Sequence, residues 1–257
     1  MTQLKALKKY RPLLNQLVIR DLKVKYRRSF LGYLWSLLNP LLMMCVMTLV
    51  FEHMFRFSVA NYPVYVIIGQ TCWNFFFEST TWALDSVLMN SALIRKVYLP
   101  KIVFPTSRVM SSFVNMLFSL GAILIVMLFT HVRFTWALLM LPFILLCLFL
   151  FCLGVGMILA ALTVYFRDMM HLYTVLTTAW MYMTPIFWTI DIMPEKYFWI
   201  IRLNPMYHYI TYFRNLVLAG IVPPLHTHLL CLAMSLAALL IGDYIFEKLQ
   251  KNFILYI

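Results

Sequence analysis

Nine Lys or Arg lie between Lys5 and Arg28 against a single acidic residue, Asp21. Cationic side chains in such a run can grip phosphate oxygens in bidentate fashion or pin a segment to anionic lipid. Other chemistry finds little to work with. Asp and Glu total nine in 257 residues, and they are dispersed, without the clustered carboxylates that hold Mg²⁺ in prenyl or phosphoglycosyl transferases. Cys45, Cys72, Cys147, Cys152 and Cys231 are scattered through apolar runs without the spacing of a metal or redox site, and read as small apolar filler. None of the seven glycines is followed by Lys, so the loop that cradles a nucleotide phosphate is missing. No catalytic residue, metal site or resident cofactor is assigned, and the chain is expected not to be an enzyme. The remaining chemistry is that of aromatic faces, which make up 17% of the residues and can stack on apolar surfaces.

The elements that position these groups belong in a bilayer. The chain is 63% hydrophobic and 12% charged, leaving too little polar surface to cover a soluble fold. Its net charge of +12 does not form a docking face for nucleic acid. Placing spans at about 34–55, 62–84, 109–130, 136–165, 170–190 and 225–245 leaves 16 Lys or Arg on one side and five on the other. The positive-inside rule then puts both termini in the cytoplasm. The basic leader resembles neither a signal peptide nor a transit sequence, because it is long, charged and followed by a full span. Residues 8–28 read as an interfacial helix, with Leu13, Leu14, Leu17, Val18 and Leu22 near one face. The break at 85–108, with Pro100 and Pro105, reads as a structured connection opening on a helix from Ser86 to Lys96. Gly154 and Gly156 should admit a close neighbouring helix. The stretch 191–224, rich in Pro and aromatics, reads as two short helices dipping into the membrane, the second started by Asn204 as cap and Pro205 in its first turn.

The expected fold is therefore an all-α integral membrane protein of a single domain over 1–257. It has six transmembrane helices, an N-terminal interfacial amphipathic helix and short re-entrant helices between spans 5 and 6. The interfacial helix occupies 1–33, the six-span bundle 34–246, and a cytoplasmic tail 247–257.

Five separated strings resemble one family. Leu31-Gly32-Tyr33-Leu34-Trp35 through Pro40, Gly69 to Phe77, Asn90 to Lys96 with Pro100 and Pro105, Phe166-Arg167-Asp168, and Thr184-Pro185-Ile186 with Leu203-Asn204-Pro205 and Arg214-Asn215 are similar to the six-span permeases of ATP-binding-cassette exporters. These permeases carry lipid-linked bacterial polysaccharides such as O-antigen, teichoic acid and capsule. Sister permeases that export drugs, haem or other lipids share parts of these strings and form the alternative. The resemblance implies a bacterial inner-membrane homodimer bound to two copies of a separate ATPase, which would hold the ATP and Mg²⁺, with a glycan path through its centre.

On that resemblance Lys23, Arg27 and Arg28 stand where a phosphorylated carrier lipid meets the membrane, although topological anchoring explains them equally well. Ser86, Asn90, Leu93, Ile94, Arg95, Lys96, Arg167 and Asp168 are expected to couple to the ATPase. For Arg167 and Asp168, capping of a helix end is the competing use. Trp73, Phe75, Phe76, Phe77, Trp82, Trp180, Tyr182, Phe187 and Trp188 are candidates for the glycan path, with interfacial belts and helix packing as the alternative. Arg202, Asn204, Pro205, Tyr207, His208 and Arg214 would form the outer gate, or a plug. Glu52 and Glu78 lie in apolar runs and need neutralisation or a polar interior.

Overall fold

The computed structural model describes residues 7–27, 31–54 and 61–256, and among these every regular element is helical. Helix α1 (Arg11–Tyr26) buries Leu14, Leu17 and Val18 and leaves Arg20 and Lys23 exposed, as its periodicity predicts. After it come α2 (Trp35–Thr48), continued by a wider turn over Leu49–Met54, and α3 (Tyr62–Leu84). Two short helices, α4 (Ser86–Met89) and α5 (Ser91–Lys96), precede the long α6 (Val103–Phe129) and α7 (Leu141–Tyr165). The rest is α8 (Met169–Met183), α9 (Phe198–Leu203), α10 (Pro205–Arg214), α11 (Leu225–Leu249) and α12 (Phe253–Tyr256).

Among the described residues four stretches are long and apolar enough to cross a membrane: Gly32–Phe51, Val103–Phe129, Trp136–Tyr165 and Leu225–Tyr256. Helix α3 differs from these because it is the hub, with 16 of its 23 residues buried against its neighbours. A helix so enclosed can carry Gln70, Thr71, Asn74, Glu78, Ser79 and Thr80, since few of them meet lipid. Thr80 and Tyr173 show one such pairing. Thr80 Oγ1 donates to the Phe76 carbonyl at 2.6 Å and accepts from Tyr173 on α8.

Small residues set the closest packing. A Cβ on Gly154 would strike the backbone of Ala238 and Leu239, and one on Gly242 would strike the backbone of Gly154. Helices α7 and α11 thus touch main chain to main chain, where dispersion and close approach do the work that hydrophobicity cannot do in lipid. Gly156 plays the same part on the other side of α7, 2.9 Å from Ala83 and 3.3 Å from Val109 measured from where its Cβ would stand.

The expected fifth span, to about 190, ends earlier, at Met183. Thr184 is extended ahead of Pro185, which disfavours helical geometry at the preceding residue. The carbonyls so released are taken up by Arg214 at the end of α10. Its Nη1 donates to Pro185 O at 2.7 Å, and its Nη2 donates to Ile186 O at 2.8 Å and Tyr65 O at 3.0 Å. The guanidinium lies 3.3 Å over the Tyr65 ring. One buried side chain therefore ties α3, α10 and the 185–186 turn together.

Two outcomes follow for stability in detergent. Gly154→Val or Gly242→Val should cost about 3 kcal/mol through overpacking against backbone, whereas Gly121→Ala, whose Cβ would meet only the tip of Leu37 at 3.0 Å, should be near neutral. Arg214→Lys loses the planar fork and should cost about 2 kcal/mol or more. Gly69→Ala should move in the same direction, because its Cβ would lie 2.6 Å from Arg214 Nη2. Unfolding midpoints of the five variants check both.

Candidate functional site

Helix α1 is fastened to the bundle by charge. Asp21 sits in the apolar stripe of α1, at the spacing of Leu14, Leu17 and Val18, with its side chain 3% exposed. Arg20 donates to its Oδ1 from Nε at 3.2 Å and Nη2 at 3.0 Å, and Arg108 of α6 forms an ion pair with Oδ2 at 3.2 Å. One turn on, Lys25 Nζ donates to Glu78 Oε1 at 2.7 Å, and Asn115 Nδ2 donates to the same oxygen at 2.9 Å. The Trp82 ring lies between the two pairs, 5.0 Å from Lys25 Nζ and 5.9 Å from the Arg108 guanidinium. Glu78 thereby receives the neutralising partner that its place in an apolar run demands.

Two cavities share Lys25 as a wall. The first, about 430 Å³, lies among Arg20, Asp21, Trp82, Asn90 and Arg108. The second, about 310 Å³, lies among Trp35, Asn39, Asn74, Glu78, Asn115 and Ser119. Nearby, burial pushes the Asp85 carboxyl above its ordinary range while Arg108 pulls it back. Of the residues expected at a lipid phosphate, Lys23 and Arg27 are exposed beside this region, and Arg28 lies outside the described residues. Asp21 and Arg108, which carry the geometry together with Lys25, were given no role from the sequence. The available signal was an acid in each of two apolar stripes, each demanding a cation.

The connection after α3 is not the single helix expected from Ser86 to Lys96. It breaks at Asn90 into α4 and α5, and the Asn90 side chain donates to Ser86 O at 2.7 Å. Ser86 is buried and donates to Ala83 O at 2.6 Å, which makes it a packing residue. Ile94 is buried and anchors α5, whereas Leu93, Arg95 and Lys96 face outward. Met89, Val97 and Tyr98 extend this exposed surface, Tyr98 being 94% accessible. Arg167 and Asp168 are exposed as well, and Asp168 holds the N-cap position of α8 without a side-chain cap hydrogen bond. Lys101 ties this end to the tail. Its Nζ donates to Gln250 O at 2.6 Å and stands 5.5 Å from the Phe253 ring centre, with burial lowering its pKa.

The aromatic candidates divide. Trp73, Phe75 and Phe76 are core residues, buried inside the bundle. Trp180 packs edge-on against Phe76 at 4.9 Å. Phe187 and Trp188 are half-buried, the Phe187 carbonyl accepting from Tyr62 Oη at 2.6 Å. Phe77 and Tyr182 are exposed, and Trp82 is held by the two cations.

At the opposite end Asn204 caps α10 as predicted. Its Oδ1 accepts from Met206 N at 3.0 Å and Trp180 Nε1 at 2.8 Å, while its Nδ2 donates to Thr184 Oγ1 at 2.8 Å. Pro205 fills the first turn. His208 Nε2 lies 2.7 Å from the carbonyl of exposed Arg202. Tyr207 lines a cavity of about 290 Å³ with Tyr65, Asp191 and Arg214. Arg214, expected at the gate, is a buried staple that also lines this cavity.

Known proteins of similar sequence match over nearly the whole length. An O-antigen export system permease protein RfbA of Klebsiella pneumoniae is 33% identical over 239 residues, covering 91% of this chain and 90% of that protein. One from Myxococcus xanthus is 32% identical over 251 residues, covering 97% and 96%. The capsule polysaccharide export inner-membrane protein CtrC of Neisseria meningitidis is 22% identical over 254 residues, covering 93% and 91%. With the ABC-2 type transporter model matching residues 12–218, the chain belongs to the ABC-2 type transporter family.

Proposed function

We propose that this chain is the membrane subunit of an exporter that moves lipid-linked polysaccharide across the bacterial inner membrane, driven by ATP hydrolysis on a separate subunit. The observation that carries this reading is end-to-end similarity to permeases named for O-antigen export, over 90% or more of their length. In this reading α3 and α8 complete six spans, both termini are cytoplasmic, and α9 and α10 dip into the outer leaflet as gate or plug.

The surface of Met89, Leu93, Val97 and Tyr98, flanked by Arg95 and Lys96, supports the ATPase partner. Exposed apolar side chains among cations at a polar end of the bundle mark a docking face. The rigid seat is supplied by Ile94 and by the Lys101 tie to the tail. Helix α8 supports pairing of two copies around a path, because His171, Thr174 and Thr178 form an exposed polar stripe beside Tyr182. Such a stripe is better placed against water, glycan or a second copy than against hydrocarbon. Phe77 and Tyr182 are the path candidates whose faces are free to stack on sugars. Lys23 and Arg27 remain the candidates for the carrier phosphate.

Depletion in the native host should leave finished lipid-linked glycan on the cytoplasmic face of the inner membrane, seen by sugar labelling and protection from impermeant periodate. Unchanged glycan together with sensitivity to small toxic compounds would favour a drug exporter. In the purified complex, Leu93→Asp with Tyr98→Asp should weaken ATPase association at least about tenfold while the permease still folds. Unaltered association would remove the docking face.

A further inference from the structure

Asn74 is the thirteenth residue of α3, about 18 Å along the helix from its first residue, and it points outward. Its side-chain amide has no partner in the described residues, and neither has that of Asn39 on α2. Unsatisfied amides at membrane depth are costly in hydrocarbon. Both open onto the 310 Å³ cavity that also receives Glu78, Asn115 and Ser119, with the half-exposed Trp35 indole at its edge.

From this juxtaposition, we propose that the cleft between α2, α3 and α6 is a binding site for a glycosyl residue. This rests on the polysaccharide-export reading and adds to it a polar subsite on the same edge of α3 as Phe77. The donor set decides the ligand class. Two free amides each donate and accept, a carboxylate accepts, and an indole offers a flat apolar face, which together suit a ring with hydroxyls around its rim and CH groups on its faces. A phosphate fits poorly. The cation present, Lys25, is already engaged by Glu78 at 2.7 Å, and the Glu78 carboxylate would repel a second anion. A bare acyl chain would leave the amides unsatisfied.

The test uses cells expressing the permease with its ATPase, with the glycan labelled by tritiated sugar. A photoreactive p-benzoylphenylalanine replaces Asn74, Tyr182 or, as control, the exposed Leu128 of α6. Irradiation should attach labelled glycan at position 74 and not at 128. Glycan attached at 182 but not 74 removes the cleft and leaves export standing. A permease–permease adduct at 74 overturns the site in favour of a second copy, and equal phospholipid adducts at 74 and 128 overturn it in favour of bulk lipid. If no position captures glycan and depletion leaves export intact, both the site and the export reading fail. Independently, Asn74→Leu should slow glycan export about tenfold, with Asn74→Gln restoring much of the rate and neither variant altering the unfolding midpoint. Unchanged export in Asn74→Leu also overturns the site.

Discussion

Polar groups carried into hydrocarbon must find partners inside the protein, and the arrangement of this bundle follows from where they find them. The clearest instance is Arg214. Helix α8 stops at a proline and strands two carbonyls, and a guanidinium from α10 supplies the donors that the lost helical turn would have supplied. The same side chain reaches Tyr65 O, so the ending of one helix is settled jointly by two others. A cation is tolerated there because it is surrounded by carbonyl dipoles and an aromatic face, and Gly69 leaves the space it fills. The break, the glycine and the arginine form one unit of structure.

At the opposite end, α1 is held by two ion pairs of unequal weight. The Lys25 and Glu78 side chains are each about a quarter exposed, and a pair so hydrated contributes on the order of 1 kcal/mol or less. Asp21 is nearly inaccessible and flanked by Arg20 and Arg108, and taking away a partner from such a charge costs several kcal/mol. The firm attachment of α1 is therefore at Asp21. The Lys25–Glu78 contact can open with little change in stability, which matters because it stands between the two cavities.

Much of the fold was legible because the bilayer narrows the choices. The apolar face of α1 was read from spacing, the limits of α3 from composition, the Asn204–Pro205 start from capping chemistry, and the contact at Gly154 from small-residue spacing. The functional surfaces were less legible. Trp73, Phe75 and Phe76 have the same residue types as path-lining aromatics, and whether such a side chain faces a passage or a core is decided by the helix on its other side. Asn90 ended a helix that periodicity alone would have continued, because its side chain returns to Ser86 O. The partners of Glu78 lay 53 and 37 residues away in sequence, and no local pattern joins positions so far apart.

An exporter of the proposed kind would need a path that binds each unit weakly and a rigid frame that transmits a push. Helix α3 has two faces that suit these two demands. Its buried face, from Val64 to Phe76, packs against α6, α7 and α10 and forms the frame. Its outward edge at Asn74, Phe77 and Glu78 leaves amide, aromatic and carboxylate groups accessible. The edge is fixed in place by the frame yet gives up little packing of its own, so a ligand can exchange there without loosening the bundle. The polar residues that make α3 less apolar than its neighbours are thus the ones that allow one helix to serve as both core and contact surface.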